Sequence, residues 1–359
     1  MKATVERHRL NGALRRISTA AGSTVPLVIT ASSGTVELVA VGRKVMFIAE
    51  VEAAVDEDGA AEVMVRQIMS VVKSLPAGAV AMESVEGGIA FTGGGSTVVL
   101  AEQDELCGAE WPEPQGTGQP VEGELLRSSL GGVIPAAATD NHPIFGSVRF
   151  DETDGVMRLV ASDTFRLAVR DLSGTPAPGV FSLNVRVLKR MLRAFGKAPA
   201  YRVWTEDGYM WFEVEKMGKM GIVHDSSDYP RYRGWSPPWE GRVVCARGPL
   251  ADLANRVVAL DRKSPAPAKL VFSTSGIEFV AKSPLGMVSG TMEAEHAALS
   301  EEVTLRFNSM FLADALANLI SDRVEIRFAE DPLARPKPVR MADPNCEEAW
   351  NLVMPMRAG

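Results

Sequence analysis

Hydrophobic positions along this chain make the same statement three times. A short amphipathic helix pattern, a turn and then two or three strand-like runs begin at Val65, again at Val185 and again at Ser309, at near-equal intervals. In the first copy Val65, Ile68, Met69, Val72 and Leu75 fall at i, i+3, i+4, i+7 and i+10; Val185, Leu188, Leu192 and Phe195 follow the same spacing in the second. In the third the stripe is Leu312, Ala315, Leu316 and Leu319. Such spacing gives each helix one apolar face, which has to pack on another element, most simply a sheet. Each helix has an earlier partner pattern, at Val5–Ala20, Glu122–Ala137 and Pro249–Arg262, the last with Leu250, Leu253, Val257 and Leu260 as its stripe. A repeat of this length makes a domain rather than one turn of a solenoid. Each third therefore reads helix, strands, helix, strands, and three such domains suggest a modular, curved or ring-like body.

Several strand candidates alternate apolar and polar residues with period two, as half-buried antiparallel strands do. They include Thr35–Val41, Val45–Val51 and Thr97–Ala101, then Val148–Phe150, Met157–Ala161, Leu167–Leu172, Tyr201–Trp204 and Met210–Val214. In the last third they include Lys269–Ser273, Ile277–Ala281, Val324–Phe328 and Leu352–Met356. Asp154-Gly155, Asp207-Gly208 and Ser275-Gly276 sit where hairpins need a positive φ. Proline- and glycine-rich stretches from Trp111 to Gly118 and from Trp235 to Gly241 divide the thirds, giving domains 1–116, 117–240 and 241–359.

At 359 residues and 46% hydrophobic, the chain can fill two or three ordinary cores. Cys107, Cys245 and Cys346 are odd in number and far apart, which suggests neither a disulfide framework nor a zinc site. The start lacks an apolar signal core and no run approaches a membrane span, so a soluble protein of a reducing, cytoplasmic compartment is expected.

Catalytic signatures do not stand out. There is no phosphate-binding loop and no nucleophile elbow, and Gly93-Gly94-Gly95 reads as a turn between strands. His8, His142, His224 and His296 lack metal-ligand spacing. Asp140-Asn141-His142 could be imagined as a general base, but a lone loop histidine is more often structural. The weight moves towards a binding protein without cofactor or metal. Positive charge is more telling. On the helix from Val185, Arg186, Lys189, Arg190, Arg193 and Lys197 fall away from the apolar stripe. Arg7, Arg9, Arg15 and Arg16 lie on the first helix, and Arg66, Lys73, Arg127, Arg256, Arg262 and Lys263 on others. A formal net charge of −7 makes this recurrence unusual. If these helices share one surface, it suits a phosphate backbone contacted without reading bases.

At this point the residues resemble a known family. Leu159-Val-Ala-Ser-Asp-Thr-Phe-Arg-Leu-Ala-Val-Arg170 is similar to the second-domain signature of the bacterial sliding clamp, the β subunit of DNA polymerase III. Asp228-Tyr-Pro-Arg-Tyr-Arg233 resembles its segment before the third domain, and Phe307-Asn308 with Phe311-Leu312 and Ala315-Leu316 its last helix entry. Leu352-Val-Met-Pro-Met-Arg357 resembles its terminus, and Met1-Lys-Ala-Thr-Val-Glu-Arg7 its opening strand. Thr164-Phe165 replaces the common Gly-His, Gly234 stands where a basic residue is frequent, Pro143-Ile144 replaces an aromatic pair, and Ala358-Gly359 replaces a terminal Leu.

The resemblance implies an α+β fold of three repeated DNA-clamp domains, two helices packed on antiparallel sheets in each, with two copies closing head to tail into a homodimeric six-domain ring. It implies a non-catalytic processivity factor around double-stranded DNA, held without sequence preference. Its expected partners are the DNA polymerase III α subunit, the clamp loader ATPase and other proteins with clamp-binding motifs. A phage-borne or resistance-type paralogue with altered partners is the alternative. DNA-facing residues would be Arg7, Arg15, Arg66, Lys73, Arg127, Arg186, Lys189, Arg190, Arg193, Lys197 and Arg256. A partner-peptide groove would use His142, Phe145, Ser162, Thr164, Arg166, Leu167, Pro230, Val353, Met354, Pro355, Met356 and Arg357. Pliable methionines suit a surface with many partners. Ring closure would join edge strands, Thr97 and Val99 meeting Lys269 and Val271, with Ala259 and Leu260 as apolar interface positions.

Overall fold

The structure is a computed structural model, which describes residues 1–103, 111–139, 142, 144–235, 237–329 and 337–357. Six helices are found among them: α1 (Arg7–Ala20), α2 (Val65–Ser74), α3 (Gly123–Val133), α4 (Val185–Phe195), α5 (Arg247–Leu260) and α6 (Ser309–Asn318). The three repeat starts are the first residues of α2, α4 and α6. For two of them the cap explains why. Asn184 accepts a hydrogen bond from the Arg186 amide, and Asn308 from those of Met310 and Phe311. The partner helices start elsewhere than their periodicity suggests. Val5 lies in the strand Lys2–Glu6, and Glu122 ends the strand Gln119–Glu122. The Glu122 carboxylate then accepts from the Glu124 and Leu125 amides at 3.0 and 2.9 Å, capping α3 from outside. Pro249 sits in the first turn of α5, where its missing N–H has no partner to lose.

Contacts divide the chain into two compact units, one of residues 1–125 and 183–225, the other of 126–182 and 226–359. In the first, α1 packs against α2 and α4, and their buried stripes rest on an antiparallel sheet of twelve strands. In the second, α5 packs against α6 on another twelve-stranded sheet. Neither unit follows the sequence thirds, because strand pairing crosses them. Val45–Glu57 pairs with Gly218–Val223 in the first unit, and Arg166–Pro176 with Cys346–Val353 in the second. Among the described residues no helix is long and apolar enough to cross a membrane.

The hairpin chemistry holds at the Gly-Gly and Asp-Gly pairs but not at Ser275-Gly276, where Gly276 has φ 158°, close to extended. Gly94 and Gly95 have φ of 57° and 80° between the strands Gly88–Gly93 and Ser96–Ala101. Asp154-Gly155 and Asp207-Gly208 likewise have φ of 51° and 78° in each pair. The last strand is shifted from expectation, running Cys346–Val353 rather than to Met356. Beyond it Met354 donates its amide to the Phe165 carbonyl at 2.9 Å, and Pro355 has no N–H for a ladder.

The edge-strand expectation fails at Lys269 and Val271. Their strand, Pro267–Phe272, pairs with Gly276–Ser283 on one side and Val303–Asn308 on the other, so its backbone groups are already bonded. Beyond it Val303–Asn308 ends the sheet, and a second open edge among the described residues lies one hairpin away on the other side. Over Gly286–Glu293 the strand Gly286–Ala298 pairs only with Gly276–Ser283 among the described residues.

Candidate peptide groove and nucleic-acid face

The centre of the candidate groove is one turn and one strand pair. Between the strands Val156–Ser162 and Arg166–Pro176 the chain reverses through Asp163-Thr164-Phe165. The Asp163 carboxylate accepts from the Phe165 and Arg166 amides at 3.1 and 3.0 Å. Ser162 Oγ accepts from the Thr164 amide at 3.2 Å and donates to the Arg166 carbonyl at 2.8 Å. Thr164 is held at φ 78°, a region costly for a β-branched residue. Leu167 then lies opposite Leu352 across the strand pair.

This turn borders a cavity of about 390 Å³ lined by Phe145, Ser162, Thr164, Phe165, Arg166, Leu167, Trp235, Pro338, Leu352 and Met354. The structure thus brings together Phe145, Ser162, Thr164, Arg166, Leu167 and Met354 of the expected set. Val353 does not line it and is fully buried. The pleat decides this, since Leu352 and Met354 share one face of the chain and Val353 the other. Pro355 is buried, Met356 and Arg357 are exposed, and the Met356 amide donates to the Arg306 carbonyl at 2.7 Å. Pro230 supports the rim indirectly. Its carbonyl accepts from Tyr232, which opens the 3₁₀ turn Tyr232–Gly234 before Trp235.

Phe165, Trp235, Pro338 and Leu352 belong to the lining but not to the expected set. Leu352 was visible in the terminal motif, one position from Val353. In the sequence Trp235 reads as the start of a linker, and Pro338 carries no signal.

Arg166 lines the cavity, yet its charge is committed elsewhere. Nε donates to Asp163 at 2.9 Å, one terminal nitrogen to Asp314 on α6 at 2.6 Å, and the other to the Pro135 carbonyl. The guanidinium also lies 4.1 Å from the Phe311 ring centre. It acts as a strut between the turn, α6 and the 3₁₀ turn Ile134–Ala136. His142 is also structural in geometry. Its Nδ1 accepts from the Ile144 and Phe145 amides at 3.3 and 3.1 Å, and its ring rests 4.9 Å from that of Phe145. Asp140, Asn141 and Pro143 lie outside the described residues, as do Cys107, Ala358 and Gly359. Nearby Tyr229 packs edge-on to Phe145, and burial pushes its phenol pKa upward.

Among the residues expected to face DNA, those of α4 form the most continuous exposed basic face. Val185, Leu188, Met191 and Phe195 are buried, while Arg186, Lys189, Arg190, Arg193 and Lys197 are exposed. No acidic residue interrupts that helix. Arg15, Arg66 and Lys73 are exposed in the same unit; Arg256 is exposed and Arg127 half-buried in the other. Arg7 departs from expectation. Its guanidinium donates to the Val72 and Lys73 carbonyls at 2.9 and 3.2 Å, capping the C-terminal end of α2 instead of standing free. Two further α1 arginines are similarly engaged: Arg9 pairs with Glu52, and Arg16 donates to the Met217 carbonyl at 3.0 Å.

Thr97 and Val99 lie on Ser96–Ala101, the terminal strand of its sheet, with Val99 56% exposed. In the other unit Ala259 and Leu260, at the end of α5, are exposed; so are Leu285 and Met287 beside the open edge Gly286–Glu293.

No protein-family model matches this sequence. A curated relative, the beta sliding clamp of Micrococcus luteus, is 30% identical over 211 residues, covering 55% of this chain and 66% of the relative. The beta sliding clamp of Streptomyces coelicolor is 24% identical over 354 residues, 92% of this chain and 91% of that one. The chain belongs to the beta sliding clamp family. Its fold agrees from end to end: the DNA polymerase sliding clamp of Bacillus subtilis superposes with a TM-score of 0.88 over 100% of both chains, at 18% identity. Thr164, Phe165 and Trp235 all line the cavity, and the Phe165 and Trp235 rings are exposed.

Proposed function

We propose that this chain is a DNA sliding clamp, a non-catalytic processivity factor that tethers a replicative polymerase to duplex DNA. The observation that carries the proposal is the apolar cavity beside the strand pair Leu167–Leu352, present in a chain that shares its whole fold with sliding clamps. The cavity takes short peptides from the polymerase α subunit, the clamp loader and other partners. The three repeats, 1–116, 117–240 and 241–359, act as clamp domains, and two copies close head to tail in the cytoplasm. The exposed faces of the helices, α4 above all, attract phosphates. With no base-edge bond to break at each step, the protein can slide.

Ring closure uses strand edges. Ser96–Ala101 of one copy meets Gly286–Glu293 of the other, with Val99, Leu260 and Met287 supplying apolar cover. This retains Thr97, Val99, Ala259 and Leu260 as interface residues and replaces Lys269 and Val271.

The test is fluorescence anisotropy of a labelled polymerase-type clamp-binding peptide, titrated with the intact chain and with a version ending before Met354. Saturable binding near micromolar, roughly −8 kcal/mol, that is lost on truncation supports the clamp. A second reading, a paralogue with other partners, is favoured by Thr164 at φ 78° and the exposed Phe165. Binding of a non-host motif in preference to the host polymerase peptide would select it.

A further inference from the structure

Outside the cavity lining, three cations gather at one sheet edge. The strand Val303–Asn308 ends its sheet, with Pro267–Phe272 its one strand partner among the described residues. Register sets Arg306 directly opposite Lys269, so the two share a face, and both are exposed. Like charges held opposite each other across a strand pair repel, a cost that an anion beside them relieves. The chain after the last strand adds the third charge. The Met356 amide donates to the Arg306 carbonyl at 2.7 Å, and exposed Arg357 follows it. None of the three cations enters an ion pair among the described residues. Glu302, just before the strand, lies four residues from Arg306, about 13 Å along an extended chain and beyond a Debye length of about 8 Å. Glu278, diagonal to Lys269 on the next strand, does not pair with it. The tail also joins this patch to the cavity. Met354 lines the cavity and Met356 is bonded at the patch, a step of about 7 Å in extended chain. Inside the cavity the charge of Arg166 is already engaged by Asp163, Asp314 and the Pro135 carbonyl. Negative charge on a partner therefore finds no available cation in the lining and three just outside it.

From this placement, and resting on the groove reading above, we infer that Lys269, Arg306 and Arg357 form a docking patch for an acidic flank of the partner peptide, one or two carboxylates beside the apolar anchor that fills the cavity. The anchor supplies the affinity common to all partners, and the flank ranks them. Exposed charge pairs are individually weak, roughly 1.4- to 5-fold in affinity each, so the patch tunes binding that the cavity creates. Such pairs are also screened by salt, which apolar burial is not. A duplex phosphate carries the same charge as a carboxylate. The bonded tail, which runs from the cavity to the patch, favours the peptide.

The experiment compares labelled clamp-binding peptides that share one apolar anchor and carry either two Glu or two Gln on a flank, with each flank tried in turn. Anisotropy is read against the full chain and against Lys269→Gln with Arg306→Gln, at about 50 mM and about 500 mM salt. The expected result is tighter binding of the Glu peptide on one flank, by about 3-fold at low salt, falling towards unity at high salt. In the double variant that preference disappears while the affinity of the Gln peptide is unchanged. Equal binding of the Glu and Gln peptides on both flanks, or a preference that survives in the double variant, overturns the inference and leaves the groove intact. So does a double variant that loses affinity for linear duplex DNA but keeps its peptide preference, since the patch then serves phosphates. Binding of no peptide overturns the groove reading, and the inference with it. Both substituted side chains are exposed, and circular dichroism checks that the variant is folded.

Discussion

Replacing Arg166 by methionine tests whether this residue is a strut rather than a ligand for partners. Methionine keeps much of the volume and the contact with Phe311 but strands two carboxylates. The Arg166 side chain is only 10% exposed, with Asp163 at 16% and Asp314 at 28%. Removing one member of a buried ion pair costs about 3–5 kcal/mol, and lost stacking of a cation on Phe311 about 0.5–2 kcal/mol. Water reaching Asp314 recovers part of this, so we expect a net loss of about 3 kcal/mol. In a unit of this size that lowers the melting temperature by about 6–12 °C. The assay is urea unfolding followed by tryptophan fluorescence, which reports on Trp235, Trp239 and Trp350 in the same unit. Asp314→Asn in the same background should return about 1–2 kcal/mol, because one stranded charge is removed. A loss under about 1 kcal/mol, or strict additivity of the two substitutions, would refute the strut, since both outcomes require that the charges hardly interact.

Three other outcomes follow from the same structure. Arg190→Gln with Arg193→Gln should lower the slope of log affinity against log salt for linear duplex by up to about 1.8, at about 0.9 per lost phosphate contact, without altering the dimer; an unchanged slope would remove α4 from the DNA face. Met287→Asp should give monomers at micromolar concentration in analytical ultracentrifugation, because a carboxylate would be buried against an apolar edge, and a surviving dimer would mean that ring closure lies elsewhere. Burial tends to raise the Asp151 pKa, but hydrogen bonds from Tyr232 and the Glu152 amide and the Arg233 charge outweigh it and hold the carboxyl below its ordinary value. The folded state therefore favours ionised Asp151, whose contribution is present above the ordinary aspartate range and is lost as pH falls through the lowered value. Asp151→Asn should flatten that acid limb of the stability curve, and an unaltered limb would show that this carboxylate does not shape it.

The sequence alone determined that six helices form, where three of them start, and the turn chemistry of the Asp-Gly and Gly-Gly pairs. An apolar stripe at period 3.6 is a local signal, and Val65, Val185 and Ser309 open helices where the pattern begins. Asp-Gly and Gly-Gly pairs likewise need only their own backbone preferences. The terminal motif came within a residue or two of the cavity lining, but the pleat settled that Leu352 and Met354 face the cavity while Val353 faces the core. Tertiary structure decided what depends on distant partners. Strand pairing made Pro267–Phe272 an interior strand and left Gly286–Glu293 open, a distinction that no alternation in either segment encodes. It also assigned the arginines their different tasks. Arg7 caps a helix and Arg166 braces a turn, whereas Arg190 and Arg193 face solvent. A guanidinium reads the same in every sequence; only the carbonyls and carboxylates that folding brings within reach determine whether its charge remains available to a partner.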